Sequence, residues 1–388
     1  MNLINSITLL ASFFTILSLK ECKQKQSKQS NYNYTKPIQF SDSIRTDDLV
    51  SVGINTKTVT ELTKLILVDS FPNIHSLLIA KDGKLVYENY FSGNDEISGK
   101  KLGYVEHSIN DLHDCRSISK SVTSACIGIA IKQGLIKGVD DPIFLYLKEY
   151  EKLFDPKKME ITIRNLLTMT SGLEWNENLS YRDFRNSELR MDLSANPIKF
   201  ILSQKVVADT GTAWNYNGGN TQLLAEILKN VSGTTIDKFA EKNLFFPLGI
   251  KNYQWLPLTK NMPAAASGLR LRSRDLLKFG LLFMDKGKWG DVNILPKDWA
   301  EISLSTVVKR PNGNSTNEGY GYQFWTYAET INNKEIAIQE ARGNGGQRIF
   351  FVKSLNLLVV ITAGNYNQWD IINNSHKALV AYIIPSLK

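Results

Sequence analysis

Residues 114–125 read D-C-R-S-I-S-K-S-V-T-S-A and bring several hydroxyl groups close to one lysine. A serine hydroxyl is a weak nucleophile at neutral pH and needs a base within hydrogen-bonding distance. Residues three apart share one face of a helix, so the amine of Lys120 can approach the hydroxyl of Ser117. Neither Ser119 nor Ser121 has a lysine three residues further on. The spacing therefore indicates Ser117 as a candidate nucleophile and Lys120 as its proton acceptor.

The same S-x-x-K tetrapeptide is also typical of an ordinary helix start. Serine side chains at the beginning of a helix accept hydrogen bonds from free backbone N–H groups, and a lysine in the first turn is usually solvated. A lysine acts as a base only where burial or nearby cations lower its pKa. The tetrapeptide alone leaves both interpretations open, because short motifs occur often by chance.

Four further segments follow the tetrapeptide, and their order resembles that of the serine β-lactamase and penicillin-binding-protein superfamily. They are I-T-I-R-N-L-L-T-M-T-S-G-L-E-W (161–175), G-T-A-W-N-Y-N-G-G-N-T-Q-L-L (211–224), A-A-S-G-L-R-L-R-S-R-D-L-L-K-F-G (265–280) and G-N-G-G-Q-R-I-F-F-V (343–352). Within that superfamily the chain is similar to class C β-lactamase-like serine hydrolases, near the 6-aminohexanoate-dimer hydrolases and family VIII esterases. The resemblance spans roughly residues 50–388.

This resemblance implies a set of catalytic roles. Ser117 would be the acylated nucleophile, and Lys120 would take its proton or hold the charge that lets another group do so. Tyr216, in the position of the Y-x-N tyrosine, would relay the proton to the leaving group, with a pKa lowered by Lys120. The oxyanion hole would consist of the backbone N–H groups of Ser117 and Gln347. Taken alone, Tyr216 is also compatible with a packed core tyrosine.

The substrate-facing positions depart from the β-lactamase pattern. Asn344 stands where the lysine of K-T-G attracts a substrate carboxylate, and Gly218 stands where the tyrosine motif usually has asparagine. Gly345 and Gly346 would let the strand approach the substrate closely, although glycines here are also typical of a simple turn. Tyr181 is a candidate for lining the cleft. The loss of the lysine charge favours neutral esters or amides over β-lactams.

The sequence therefore predicts a serine hydrolase that acts on a small-molecule ester, amide or peptide. One alternative is a catalytically silent, penicillin-binding-like protein that binds cell-wall fragments. Another is a D,D-peptidase or β-lactamase, in which Arg342 or Arg348 would replace the missing lysine in carboxylate recognition.

Composition excludes several other classes of protein. The formal charge is +8 over 388 residues, but the basic residues are scattered among acids and form no stripe or nucleic-acid motif. Three cysteines make no disulfide framework. The four histidines (His75, His107, His113 and His376) have no H-x-x-x-H spacing, so we expect no metal site and no cofactor.

The N-terminal segment is typical of an exported bacterial protein. Residues 3–19 are mostly apolar and a polar, Lys/Gln/Ser/Asn-rich run follows. We interpret residues 1–22 as a signal peptide or membrane anchor, with Cys22 as a candidate lipoprotein site, and residues 23–45 as a flexible linker. The chain would then be periplasmic or attached to a membrane, with residues 46–388 forming the hydrolase domain.

The elements that must position these residues indicate an α+β fold. Strand-like runs occur at both ends of the chain, and amphipathic helical segments lie between them. The segments are a hairpin at 76–91 with an Asp82-Gly83 turn, a helix from Ser117 to Gly134, a stretch at 213–228 that begins as a loop with Gly218-Gly219 and then becomes a helix, a helix at 273–284, strands at 321–327, 348–352 and 357–363, and a final helix at 375–384. The predicted architecture is one antiparallel sheet made from both chain ends and flanked by helices, with an inserted, mainly helical region at roughly 140–315.

Overall fold

The computed structural model describes residues 32–309 and 318–388. The strands are β1 (Ile74–Lys81), β2 (Lys84–Tyr90), β3 (Gly93–Ile97), β4 (Lys100–Val105), β5 (His113–Asp114), β6 (Gln254–Trp255), β7 (Pro257–Thr259), β8 (Met262–Pro263), β9 (Leu269–Leu271), β10 (Lys288–Trp289), β11 (Val292–Asn293), β12 (Val308–Lys309), β13 (Gly319–Tyr320), β14 (Trp325–Ile331), β15 (Lys334–Gly343), β16 (Gln347–Val352) and β17 (Leu357–Ala363).

The α-helices are α1 (Thr56–Leu67), α2 (Ile118–Lys132), α3 (Pro156–Met159), α4 (Ile163–Leu167), α5 (Ser187–Asp192), α6 (Pro197–Leu202), α7 (Gly218–Ser232), α8 (Ile236–Ala240), α9 (Ser273–Met284), α10 (Lys297–Ser303) and α11 (Asn374–Ala378). A π-helical turn extends α8 over Glu241–Phe245, and another extends α11 over Leu379–Ile383. Short 3₁₀ turns occur at Ile143–Leu145, Lys148–Leu153, Lys353–Leu355 and Ile384–Ser386.

Strands from both chain ends form one antiparallel sheet, as predicted. Its order is β12-β13-β14-β15-β16-β17-β1-β2, so β1, near the start, pairs directly with β17, near the end. The β1–β2 turn has positive φ at Asp82 (52°) and Gly83 (74°), the conformation that an Asp-Gly hairpin turn favours. The longest strand, β15, was not predicted, because its sequence K-E-I-A-I-Q-E-A-R-G is half polar.

The sheet separates two hydrophobic cores, because successive side chains of a strand point to opposite faces. Along β1, Leu78 and Ala80 pack into the core that contains α2, α7 and α9. Leu77 and Ile79 pack on the other face, where α1 and the C-terminal helix lie. The first of these cores positions the candidate site, since α2 and α7 contact each other beneath it.

Residues 32–45, the second half of the predicted linker, contact the domain. The Tyr34 hydroxyl donates a 2.9 Å hydrogen bond to the Val86 carbonyl, and Asp42 pairs with Arg274 at 2.8 Å. The predicted signal or anchor at 1–22, including Cys22, lies outside the described residues. In the two described ranges, none of the helices combines the length and the apolar character needed to cross a membrane.

Candidate active site

Ser117 lies immediately before α2 and does not cap it. Its side chain accepts no hydrogen bond from the helix N–H groups, unlike the capping side chains of Asn55, Thr162 and Asn217. Its hydroxyl instead lies 3.0 Å from Nζ of Lys120. The capping interpretation of Ser117 is therefore wrong, and the i, i+3 spacing brings Ser117 and Lys120 together as predicted. Their roles as nucleophile and base stay predictions.

Lys120 is almost completely buried, with 1% of its surface exposed. Its ammonium group donates to Ser117 Oγ and, at 3.1 Å, to the carbonyl oxygen of Ala266. It also lies 5.0 Å from the ring centre of Tyr216. Lys120 thus lies between Ser117 and Tyr216, the third residue that the sequence assigned to the site.

Tyr216 precedes α7, whose first turn is capped by Asn217 through a 3.1 Å bond from the Asn220 amide. The Tyr216 ring stacks on Trp325 with a centroid distance of 5.5 Å and lies below the Lys120 ammonium group. Lys120 acts to lower the pKa of Tyr216, and Tyr216 acts to raise the pKa of Lys120. Ser117, Lys120 and Tyr216 therefore form one compact group, in which the Lys120–Ser117 hydrogen bond joins the first two residues.

The protonation of this group differs from the sequence expectation. Burial by itself would lower the pKa of Lys120, but the neighbouring Tyr216, Glu188 and Glu177 raise it above its ordinary value. Burial also raises the pKa of Tyr216, and this outweighs the lowering effect of Lys120. The expected lowering of the Tyr216 pKa is therefore wrong, because the phenol is desolvated, although Tyr216 as a whole is only half-buried, and Glu177 is close. The resting site holds an ammonium group and a neutral phenol.

Two glutamates beside the lysine, the buried Glu188 and the half-buried Glu177, were not recognised from the sequence. Glu177 accepts hydrogen bonds from the Gly218 amide (2.7 Å), Trp175 Nε1 (2.8 Å) and the Tyr181 hydroxyl (3.2 Å). Burial would raise the Glu177 pKa, but its hydrogen bonds and Lys120 lower it, so the carboxylate is charged. Burial and the charge of Glu177 raise the pKa of the adjacent Glu188 well above its ordinary value. The pair therefore holds one proton, on Glu188.

Gly218 leaves the room that these carboxyl groups occupy. A Cβ atom at Gly218 would lie 3.1 Å from Cδ of Glu188 and 3.3 Å from Oε2 of Glu177. The missing asparagine of the tyrosine motif is thus replaced in space by two acidic side chains. No local sequence signal marks them, because each is a single glutamate in an ordinary polar context.

The turn between β15 and β16 lies against the start of α2. A Cβ atom at Gly343 would be 2.4 Å from the carbonyl oxygen of Cys115, two residues before Ser117. The Gln347 side chain bonds to both backbone groups of Ala363, so its position at the start of β16 is fixed. The structure therefore places Gln347 and Ser117 on adjoining elements, and their joint role as an oxyanion hole stays a prediction.

The remaining substrate-side candidates have partners of their own. Asn344 makes two hydrogen bonds with Asn367, at 2.7 and 2.9 Å. Arg348 is buried, pairs with Glu340 and donates to the Gly343 carbonyl. Arg342 also pairs with Glu340, but its side chain is 31% exposed and lies over the ring of Trp325. Of the two arginines, only Arg342 lies over Trp325, on which the ring of Tyr216 stacks.

Gly345 and Gly346 occupy the turn with φ of 96° each, a region that favours glycine. A Cβ atom at Gly345 would meet the ring of Tyr366 at 2.6 Å. The turn interpretation is thus sufficient for both glycines, and contact with substrate stays a prediction. Tyr181 meets the site through Glu177, to which its hydroxyl donates.

The structure brings together a cluster of histidines that their spacing in the sequence did not predict. His75, His113 and Asp95, all buried, direct potential ligand atoms at one another, and all three atoms lie within 4.8 Å. The ligands come from three separate segments, so no short motif contains them. The cluster is distinct from the Ser117 group and does not include any residue of it.

The fold and this group of Ser117, Lys120 and Tyr216 define a β-lactamase/transpeptidase-like hydrolase. The chain belongs to the Beta-lactamase family, whose sequence model matches residues 75–383. A curated relative, an uncharacterized protein from Alkalihalophilus pseudofirmus, is 22% identical over 329 residues, which are 80% of this chain and 85% of the relative.

Solved structures share the fold at low sequence identity. A putative 6-aminohexanoate-dimer hydrolase from Bacillus anthracis has a TM-score of 0.66 and 19% identity, covering 92% of this chain and 89% of its own. EstCE1, a hydrolase with promiscuous acyltransferase activity, has a TM-score of 0.63 and 17% identity, covering 82% and 98%. The predicted superfamily and α+β architecture are confirmed.

Proposed function

We propose that this protein is a serine hydrolase that cleaves neutral ester or amide bonds through an acyl-enzyme on Ser117. The observation that carries the proposal is the 3.0 Å contact between Ser117 Oγ and the buried Nζ of Lys120, with the ring centre of Tyr216 5.0 Å from the same Nζ. Burying a charged ammonium group destabilises the folded chain unless other groups compensate the charge or the charge serves a function. Here the ammonium group lies beside a serine whose side chain does not cap the helix. The arrangement therefore favours catalysis over a merely structural helix start.

The proposed reaction begins with attack of Ser117 Oγ on the substrate carbonyl. Its proton passes to the Lys120–Tyr216 pair, which must first have lost one proton to accept it. The backbone N–H groups of Ser117 and Gln347 would stabilise the oxyanion, and Tyr216 would return the proton to the leaving group. Water then hydrolyses the acyl-enzyme by the same path in reverse.

Substrate preference is proposed from the charges near the site. Asn344 supplies no cation, and the carboxylate of Glu177 adds negative charge close to Tyr216. Both features disfavour a substrate carboxylate and favour a neutral acyl group. A peptidase acting on a free carboxyl terminus is the second candidate, because Arg342 is partly exposed beside Trp325.

Labelling with a fluorophosphonate probe tests the nucleophile. We expect one modified peptide, containing Ser117, in the wild-type chain and no label in Ser117→Ala. Ser119→Ala is the matched control, since Ser119 already bonds to the Arg116 carbonyl and the Leu269 amide and should leave labelling at Ser117 intact. Label that persists in Ser117→Ala would contradict the assignment, and absence of label with every acylating probe would favour a silent binding protein.

A parallel rate panel tests the substrate class. The panel contains a short p-nitrophenyl ester, a linear amide, a chromogenic cephalosporin and a D-Ala-D-Ala peptide. We expect the neutral ester or amide to react fastest. A dominant rate on the D-Ala-D-Ala peptide, lost in Arg342→Gln, would establish the second candidate instead.

We further propose export, with attachment to the membrane through Cys22. The proposal rests on the apolar run at residues 3–19 followed by a polar segment. Expression of the full chain with a labelled fatty acid in a bacterial host tests it. Lipidation is supported if the wild-type chain carries the label and appears in the membrane fraction, and if Cys22→Ser does neither. A wild-type chain that is cytoplasmic and unlabelled would overturn both export and lipidation.

A further inference from the structure

A second cluster of chemically active side chains lies behind the strand that leads into Ser117. It consists of His75 on β1, Asp95 on β3, His107 after β4, and His113 on β5. The side chains of all four are at most 6% exposed. Three imidazoles and one carboxylate are thus packed together away from solvent, where polar groups need partners.

The distances among three of these groups fit a single metal ion. His75 Nδ1 lies 2.8 Å from His113 Nε2, and Asp95 Oδ1 lies 3.9 Å from the first and 3.8 Å from the second. A point equidistant from these three atoms lies about 2.1 Å from each, which is the usual distance from zinc to a histidine nitrogen or carboxylate oxygen. Three ligand atoms therefore converge without any movement of the backbone.

His107 lies beside these three residues but is not a fourth ligand. Its ring stacks on that of His75 with centroids 3.9 Å apart, so the two rings cannot both direct a nitrogen lone pair at one ion. Its Nε2 lies 4.0 Å from Asp95 Oδ2, is buried and finds no hydrogen-bond partner among the described residues.

The groups behind the ligands have the arrangement found around metal-binding histidines. His113 Nδ1 lies 3.1 Å from the Asp114 carbonyl oxygen, to which its N–H donates, so the lone pair of Nε2 faces the cluster. The Tyr366 hydroxyl donates a 3.0 Å bond to Asp95 Oδ1. Such outer contacts fix the tautomer and orientation of metal ligands.

A metal-free arrangement is the alternative. One hydrogen bond between His75 and His113 would satisfy the 2.8 Å contact. It would bring no donor from either histidine to the Asp95 carboxylate, at 3.8 to 3.9 Å, whose Oδ1 accepts from the Tyr366 hydroxyl and the Glu96 amide. A cation between the three groups would pair this buried carboxylate directly.

We propose that His75, Asp95 and His113 bind one divalent transition-metal ion, with zinc as the best fit. Imidazole and carboxylate ligands suit Zn²⁺, and a water molecule would complete its four ligands. The ion would join β1, the β3–β4 hairpin and β5. Since β5 runs directly into Cys115, Arg116 and Ser117, the ion would stabilise the segment that holds the nucleophile.

Metal analysis of the full-length chain tests this proposal without any activity assay. We expect about one zinc per chain after growth with zinc and gel filtration, and a lower Tm after removal of the metal by a strong chelator. Readdition of Zn²⁺ should restore the Tm. Co²⁺ added to the metal-free wild-type chain should give visible absorption bands of the four-coordinate type, which report the site even if variants fold poorly.

The matched variants are His113→Ala and His376→Ala. We expect His113→Ala to weaken zinc binding at least about 100-fold, because it removes a direct ligand, given that outer-shell changes alone cost about 10- to 100-fold. His376 lies outside the cluster and pairs with Glu329, so His376→Ala should bind zinc like the wild type. Ser117→Ala should also keep its metal, which separates this site from the proposed hydrolase function.

Two results would overturn the proposal. One is a wild-type chain that loses all metal on gel filtration and whose Tm responds to neither zinc nor chelator. The other is undiminished zinc affinity and an unchanged Co²⁺ spectrum in His113→Ala, which would place the metal elsewhere.

Discussion

The backbone amide of Gly218 donates a 2.7 Å hydrogen bond to Oε2 of Glu177. Gly218 is the third residue of the tyrosine motif, so the position that carries an asparagine side chain in β-lactamases here binds a glutamate from a distant segment. The contact holds a negative charge beside Lys120 and Tyr216, whose pKa values it raises. The protonation of the proposed base therefore depends on a residue outside the S-x-x-K and tyrosine motifs.

The pH dependence of hydrolysis should reveal this charge. Because the pKa values of Lys120 and Tyr216 are both raised, the base form of the pair is populated only at alkaline pH, and kcat/KM should rise with pH through the neutral range. Glu177→Gln removes a charge that raises both values, so the rising limb should move to lower pH. Initial rates on a neutral ester between pH 6 and 10 measure the shift.

Glu174→Gln is the control for this experiment. Glu174 is exposed and close in sequence, but it is not among the groups that shift the pKa of Lys120 or Tyr216. Its substitution should leave the pH profile in place. A Glu177→Gln profile that coincides with that of the wild type would show that the carboxylate has no effect on the base.

Restoring the asparagine at Gly218 should destabilise the chain. A Cβ atom there is already 3.1 Å from Glu188, so the larger side chain of Gly218→Asn must displace a buried carboxyl group. We expect a loss of about 1–3 kcal/mol, the usual range for overpacking. Urea unfolding gives the free energy of unfolding of Gly218→Asn, Glu188→Ala and the double variant, and so measures the coupling between the two positions. We expect the double variant to lose less stability than the two single variants lose together. Strict additivity would exclude the proposed collision.

Introducing the missing cation should change substrate preference. Asn344→Lys supplies a positive charge at the K-T-G position, and we expect the ratio of cephalosporin to ester hydrolysis to rise by about 10-fold or more, since a charge pair contributes more than about 1.4 kcal/mol. Asn344→Gln, which also loses the native geometry with Asn367 but adds no charge, is the control. An equal ratio in both variants would show that charge at this position does not govern recognition.

The position of the β15–β16 turn should be critical for acylation. In Gly343→Ala the new methyl group would lie 2.4 Å from the Cys115 carbonyl, so the strand must move away from the nucleophile. We expect kcat to fall by about 100-fold or more, the effect of losing one oxyanion-hole donor. Gly138→Ala is the matched control, because a Cβ atom there meets nothing within 4 Å. A fully active Gly343→Ala variant would exclude Gln347 from the oxyanion hole.

Local pattern was sufficient for the elements that fold by local rules. The Asp82-Gly83 hairpin turn and the helix after Ser117 lie where they were predicted, because residues close together in the sequence determine both turn geometry and helical periodicity. Within 213–228, a loop through Gly218 and Gly219 was predicted before the helix, but the helix already begins at Gly218. β15 was missed because its pairing with β14 and β16, rather than its own alternation, makes it a strand.

What the sequence by itself determined was the order of motifs and, with it, the superfamily and the pairing of Ser117 with Lys120 across one helical turn. Tertiary structure alone decided the charge state of that pair, because burial and the approach of Glu177 and Glu188 set the pKa values. It also assembled His75, Asp95, His107 and His113 from four segments. Electrostatic and ligand geometries depend on distance in space, and spacing along the chain fixes that distance only within a single helix, strand or turn.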